Sequence, residues 1–247
     1  KEYCSFVGGD KSDAYEEYAL YGGMPLIFSK NSDSEKMAYL QNLFTEVYFK
    51  DIIERYEIAL PDVLSELTDD LCSSVGSLTN ANKISKTLQS VRNISVSSTT
   101  VSNYLNFLTE SFLFSNAKRY DVKGKKYFEY PSKYYCADVG LRNARLNFRQ
   151  QEETHIMENI IFNELKFRGF DVDVGVIEYN SKDKNGLSRK TQLECDFVAN
   201  KGSDRIYIQS AFDLSSEEKL KQEKNSLVRI SDSFKKIIIQ KNLVVPH

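Results

Sequence analysis

The chain is poor in nitrogen and sulfur metal ligands. It has two histidines, His155 and His247, and four widely spaced cysteines, Cys4, Cys72, Cys136 and Cys195, in 247 residues. No CxxC pair and no Cys/His zinc spacing occurs, so neither a structural zinc nor a His-rich metal centre is expected. Scattered cysteines read as core thiols in a reducing compartment, and the expected location is the cytoplasm. No run approaches the ~20 apolar residues that span a bilayer, and no signal peptide opens the chain, so no membrane partner is expected. The first residue is Lys1 rather than Met, which reads as a fragment of a longer or processed protein. Net charge is only -2, so no global excess points to nucleic acid or to disorder. Repeats and low-complexity tracts are also missing.

With 41% hydrophobic residues, the chain can bury a core and form one or two domains. Its charge is locally uneven. Asn116–Arg149 holds nine Lys/Arg against three Asp/Glu, which reads as a solvated face or as a phosphate-facing patch. Three segments differ in rhythm. Residues 1–60 are helical: Ala14–Tyr21 leads into the turn Tyr21–Pro25, then a long amphipathic helix over Asp33–Tyr56.

Residues 61–150 give helices over Pro61–Val75, Asn80–Leu88 and Ser98–Glu110, with Asn80 and Ser97 or Ser98 as caps. Strand-like runs Leu113–Tyr120 and Lys126–Tyr130 follow, joined by a turn containing Gly124. Three helices and a hairpin describe a winged helix-turn-helix. Its recognition helix would offer Ser98, Thr99, Ser102, Asn103 and Asn106 to bases, although Ser97–Glu110 holds no Lys or Arg. Lys118, Arg119, Lys123, Lys125 and Lys126 would meet phosphates from the wing.

Residues 151–247 run αβββαβ: helix His155–Phe167, strands Phe170–Tyr179, Leu193–Ala199 and Ile206–Ala211, helix Ser215–Lys224 and strand Lys235–Gln240. Polar Asn180–Lys190 reads as a loop. Glu158 on the helix, then Asp196 and Gln209 on successive strands, resemble the metal-binding core of a PD-(D/E)XK, restriction-endonuclease-like fold. Such a site holds magnesium through carboxylate oxygens and uses a nearby lysine in cleavage. Glu158 and Asp196 are the candidate metal ligands. Glu194 shares the face of Asp196, because residues two apart in a strand point the same way. The lysine position is Ala211, and Lys201 and Arg205 in the preceding turn are too distant to replace it.

The runs Tyr21–Pro25, Lys50–Tyr56, Arg119–Lys126, Lys133–Arg142, Glu158–Leu165, Arg168-Gly169, Glu194–Ala199 and Tyr207–Ala211 form a specific series. Together they resemble the C-terminal region, a domain of unknown function, of bacterial and archaeal AAA-family ATPases. The resemblance implies an α/β and α+β architecture and an N-terminal ATPase domain that binds ATP. This chain has no GxxxxGK[ST] motif and cannot itself cradle nucleotide phosphates. It also implies a glutamine strand without the lysine, as here. The expected function is a nucleic-acid-binding or regulatory module of the ATPase, with DNA as partner and no cleavage. The alternatives are a magnesium-dependent nuclease using Glu158, Asp196 and Glu194, and a protein-interaction module that docks the ATPase domain or another partner.

Overall fold

The computed structural model describes residues 11–149, 152–182 and 187–241. Cys4, His247 and the centre of the Asn180–Lys190 loop lie outside them. The fold is mixed α/β, with a six-stranded mixed sheet. Two compact units divide the chain. One comprises residues up to Asn116 with Tyr134–Ile160, and the other comprises Ala117–Lys133 with residues from Ile161 onward. These boundaries do not coincide with breaks at 60 and 150.

The first unit contains α1 (Lys11–Tyr21), a 3-10 turn (Pro25–Ser29), α2 (Asp33–Asn42), α3 (Lys50–Arg55), α4 (Pro61–Ser73), α5 (Ala81–Arg92), α6 (Ser98–Glu110) and α7 (Val139–Arg145). One core unites them. Leu40, Phe44 and Ile52 pack with Leu64, Leu67, Leu71, Leu88 and Leu108, so the first 60 residues are not a separate body. Each fully buried apolar side chain contributes about 1.5–3 kcal/mol.

Local signals account for the helix ends. Pro61 occupies the first turn of α4, where its missing N–H is no loss. Asn80 caps α5 by accepting from the Lys83 N–H, and Ser97 caps α6 by accepting from the Thr100 N–H. The expected single helix over Asp33–Tyr56 is instead interrupted, because Leu43–Phe49 between α2 and α3 is π-helical. The wider turn brings Phe44 and Phe49 together at 6.2 Å, and the Arg145 guanidinium lies over both rings.

Helix α7 carries no expectation from the sequence. Asp138 caps it, accepting from Leu141 N–H at 3.0 Å, and also accepts from Gly23 N–H at 2.7 Å. Gly140 is required there: a Cβ would sit 2.0 Å from the Tyr21 carbonyl oxygen. Arg142 is fully buried and donates to the Cys72 carbonyl oxygen.

The second unit holds parts of β1 (Phe114–Asp121) and β2 (Lys126–Cys136), then the end of α8 (Glu153–Phe167), β3 (Asp171–Lys182), β4 (Ser188–Lys201), β5 (Asp204–Ala211), α9 (Glu217–Val228) and β6 (Lys235–Gln240). The sheet order is β2-β1-β3-β4-β5-β6. Strand β1 runs parallel to β3 through Arg119↔Val174 to Asp121↔Val176. The expected wing is therefore one side of a larger sheet rather than a free hairpin. Antiparallel pairing joins β3, β4 and β5, while β6 is parallel to β5 and follows the α9 crossover. The expected loop over Asn180–Lys190 is shorter, because Asn180↔Lys190, Ser181↔Arg189 and Lys182↔Ser188 continue the pairing. Tyr120, Val122, Ile177, Cys195, Val198, Tyr207, Leu227 and Ile230 form this unit's core.

Candidate functional site

A β-bulge shapes the nuclease-like region. Asp173 pairs with Val198 and Gly175 with Cys195, so Asp196 and Phe197 together oppose Val174. The extra residue lets Cys195 and Val198 both face the core and turns Asp196 and Phe197 to the other side, where Phe197 meets Phe162. Asp196 is only 8% exposed and accepts from the Ser210 N–H at 2.7 Å. Cys195 points away from both neighbouring carboxylates, and its buried thiol donates to the Phe197 and Ile208 carbonyl oxygens.

Gln209 does not join Asp196. It shares the face of Tyr207, and its Oε1 accepts from Ser226 Oγ of α9 at 3.1 Å. A glutamine side chain turned to that helix serves packing, and it also bonds Glu223, whose carboxyl is raised by burial. Ala211 is buried on the same face. Glu158 belongs to the first unit, where its Oε1 accepts from Tyr135 Oη at 2.7 Å. Lys201 donates to the Arg168 carbonyl oxygen, and Arg205 to Asn200 Oδ1.

Glu194 has a partner that the sequence reading overlooked. Lys133 of β2 places Nζ 2.7 Å from Glu194 Oε1, with the lysine side chain 5% exposed. In the sequence this lysine is one of the nine basic residues of a supposed surface run. Its place directly before the apolar stretch Tyr134-Tyr135-Cys136 was the available signal of burial. Arg142, another of the nine, is fully buried, so this run is not one surface patch. Among the described residues no three His, Cys, Asp or Glu side chains group as metal ligands. The side chains around Asp196 therefore do not fit the magnesium that the sequence resemblance implies.

The helical candidates sit on α6. Val101, Tyr104, Leu105 and Leu108 are buried, which leaves Thr99, Asn103 and Asn106 exposed, with Ser98 and Ser102 half-buried. Behind α6 stands α5, which ends at Asn93 in the left-handed region (φ 58°) and is tied to the connection by Ser85 Oγ donating to the Val96 carbonyl oxygen.

The basic candidates sit on β1, β2 and their turn. Asp121 Oδ1 accepts from the Lys123 and Gly124 N–H groups and so fixes the turn. Lys118, Lys125 and Lys126 are exposed. Arg119 is half-buried, donates to Gln192 Oε1 and lies over the Phe128 ring, while Lys123 Nζ donates to the Glu178 carbonyl oxygen.

Two curated relatives extend along nearly the whole chain. An uncharacterized protein of Haemophilus influenzae is 35% identical over 91% of this chain and 52% of its own length. An uncharacterized protein of Methanocaldococcus jannaschii is 25% identical over 89% of this chain and 46% of its own length. The chain thus spans about half the length of the curated relatives it matches. No solved structure matches. The family model described as a domain of unknown function, DUF8612, matches residues 12–152, from α1 through α7, and the chain belongs to that family.

Proposed function

We propose that this chain is a nucleic-acid-binding module that holds duplex DNA without cutting it and works beside an AAA-family ATPase domain in a longer protein. The observation that carries the reading is the exposed stripe of α6. Thr99, Asn103 and Asn106 are short, uncharged donors and acceptors on a helix backed by α5, which is the surface a groove-reading helix presents to base edges. In the second unit, the exposed ammonium groups of Lys118, Lys125 and Lys126 separately offer sequence-independent attraction for phosphates. The lack of a cleavage lysine at Ala211 supports binding without cutting. Relatives about twice as long as this chain leave room for the ATPase domain.

Duplex binding measured by fluorescence anisotropy across salt concentrations tests the reading. Replacing Thr99, Asn103 and Asn106 together with Ala should weaken binding to preferred sequences and narrow their advantage over random duplex. An unchanged sequence preference would remove α6 from the interface.

A further inference from the structure

We propose that the cavity between α4, α5 and the end of α7 binds a small zwitterion, an aliphatic α-amino acid or a short peptide, with its ammonium on Asp70 and its carboxylate on Arg149. The cavity measures about 340 Å3, at the low end of small-ligand pockets, which suits a ligand of amino-acid or dipeptide size. Two of its walls follow from helical spacing. Asp69 and Asp70 stand three and four residues beyond Glu66 on α4, and Val91 and Arg92 stand three and four beyond Leu88 on α5. After α7, Asn147 and Phe148 both stand in the left-handed region (φ 52° and 56°) and turn the chain, and Arg149 follows them in the third wall.

Charge selects the ligand. The lining holds three carboxylates and three guanidinium groups. Two pairs compensate each other: Arg92 Nε lies 3.0 Å from Glu66 Oε2, and Arg145 Nε lies 2.5 Å from Asp69 Oδ1. Arg145 also donates to Ser65 and lies over the Phe44 and Phe49 rings, so its place is fixed without a ligand. Asp70 and Arg149 remain, one of each sign. Among the described residues no hydrogen bond or ion pair engages either of these two side chains. Burial raises the Asp70 carboxyl above its ordinary value, and the charge of Lys83 opposes that shift without cancelling it. A half-buried carboxylate of this kind gains from a cationic partner. A cation alone would leave Arg149 unmatched and an anion alone would leave Asp70 unmatched, so a ligand carrying both charges fits best. Leu88, Val91 and Leu146 supply the apolar part of the lining, and an aliphatic side chain would cover Val91, which is 69% exposed. The lining takes nothing from α6 or the basic turn, so this proposal and the DNA reading fail separately.

Isothermal titration of the 247-residue chain with L-leucine, Leu-Leu and Leu-Leu-Leu tests the proposal, because their two charges stand at increasing separation. At least one should bind at millimolar concentration or below, and the tightest of the three tells amino acid from peptide. The amide of that ligand lacks the carboxylate and its N-acetyl form lacks the ammonium; each should bind about tenfold more weakly or worse. Asp70→Asn and Arg149→Gln should each weaken the parent ligand by a similar factor. Arg149 is exposed, so its variant keeps the fold and decides the matter even if Asp70→Asn does not fold. Binding of none of the three, undiminished binding of the amide or the N-acetyl form, or full affinity in Arg149→Gln would overturn the proposal.

Discussion

Asp138 shows how one side chain can organise a helix and a turn together. Its two carboxylate oxygens accept from Leu141 and Gly23, two backbone donors 118 residues apart in the chain. Asp138→Ala should lower stability by about 1–3 kcal/mol in urea melts, since it removes a cap and leaves the Gly23 N–H without its acceptor. Buried thiols make a second test. Burial pushes Cys136 and Cys195 up from 9.0 to about 12. The folded chain therefore holds these protons to higher pH than the unfolded chain. Their contribution is complete below pH 9 and is lost as pH rises through about 12, so stability should fall over that alkaline interval and lose part of the fall when both are replaced by Ala. Carboxylates, amides and lysines were legible in the sequence as candidates. Their orientations were not, because Gln209 turns to α9 and Lys133 turns inward for reasons set by sheet register.

Elements were read well where local chemistry decides them. The caps at Asn80 and Ser97 and the first-turn Pro61 gave α4, α5 and α6. Strand β6 follows from its own apolar run, Ile237–Ile239. The π turn within Leu43–Phe49 was hidden because helical periodicity looks the same on both sides of it. Helix α7 was hidden because its buried Arg142 and Asn143 break the apolar pattern; Arg142 donates to the Cys72 carbonyl oxygen and to Asn143 Oδ1, and Asn143 donates to the Ala19 and Leu20 carbonyl oxygens. The connection from α5 to α6 depends on Asn93, which stands at φ 58°. Asn93→Gly should leave stability unchanged or slightly raised, whereas Asn93→Val should cost about 1–2 kcal/mol in thermal and urea melts. Equal stability of the two variants would show that this turn does not set the α5–α6 geometry.

For the whole molecule, length and composition indicated a substantial core, and the succession of helical and strand-like segments indicated the mixed fold. They did not indicate how the chain is divided, because β1, β2 and α8 each run from one compact unit into the other. A reading based on successive segments cannot see such interleaving. Among the described residues no helix is long and apolar enough to cross a membrane. Net charge of -2 gives no bulk attraction to DNA, so the proposed binding would have to come from local placement of positive groups. The most direct test of the central claim is the salt dependence of duplex binding by the wild type and by a Lys118→Ala, Lys125→Ala, Lys126→Ala triple variant. Each phosphate contact adds about -0.9 to the slope of log affinity against log salt, so losing three should flatten it by about 2.7. Superimposable lines for the two proteins, or no duplex binding by the wild type even at about 50 mM salt, would contradict the account.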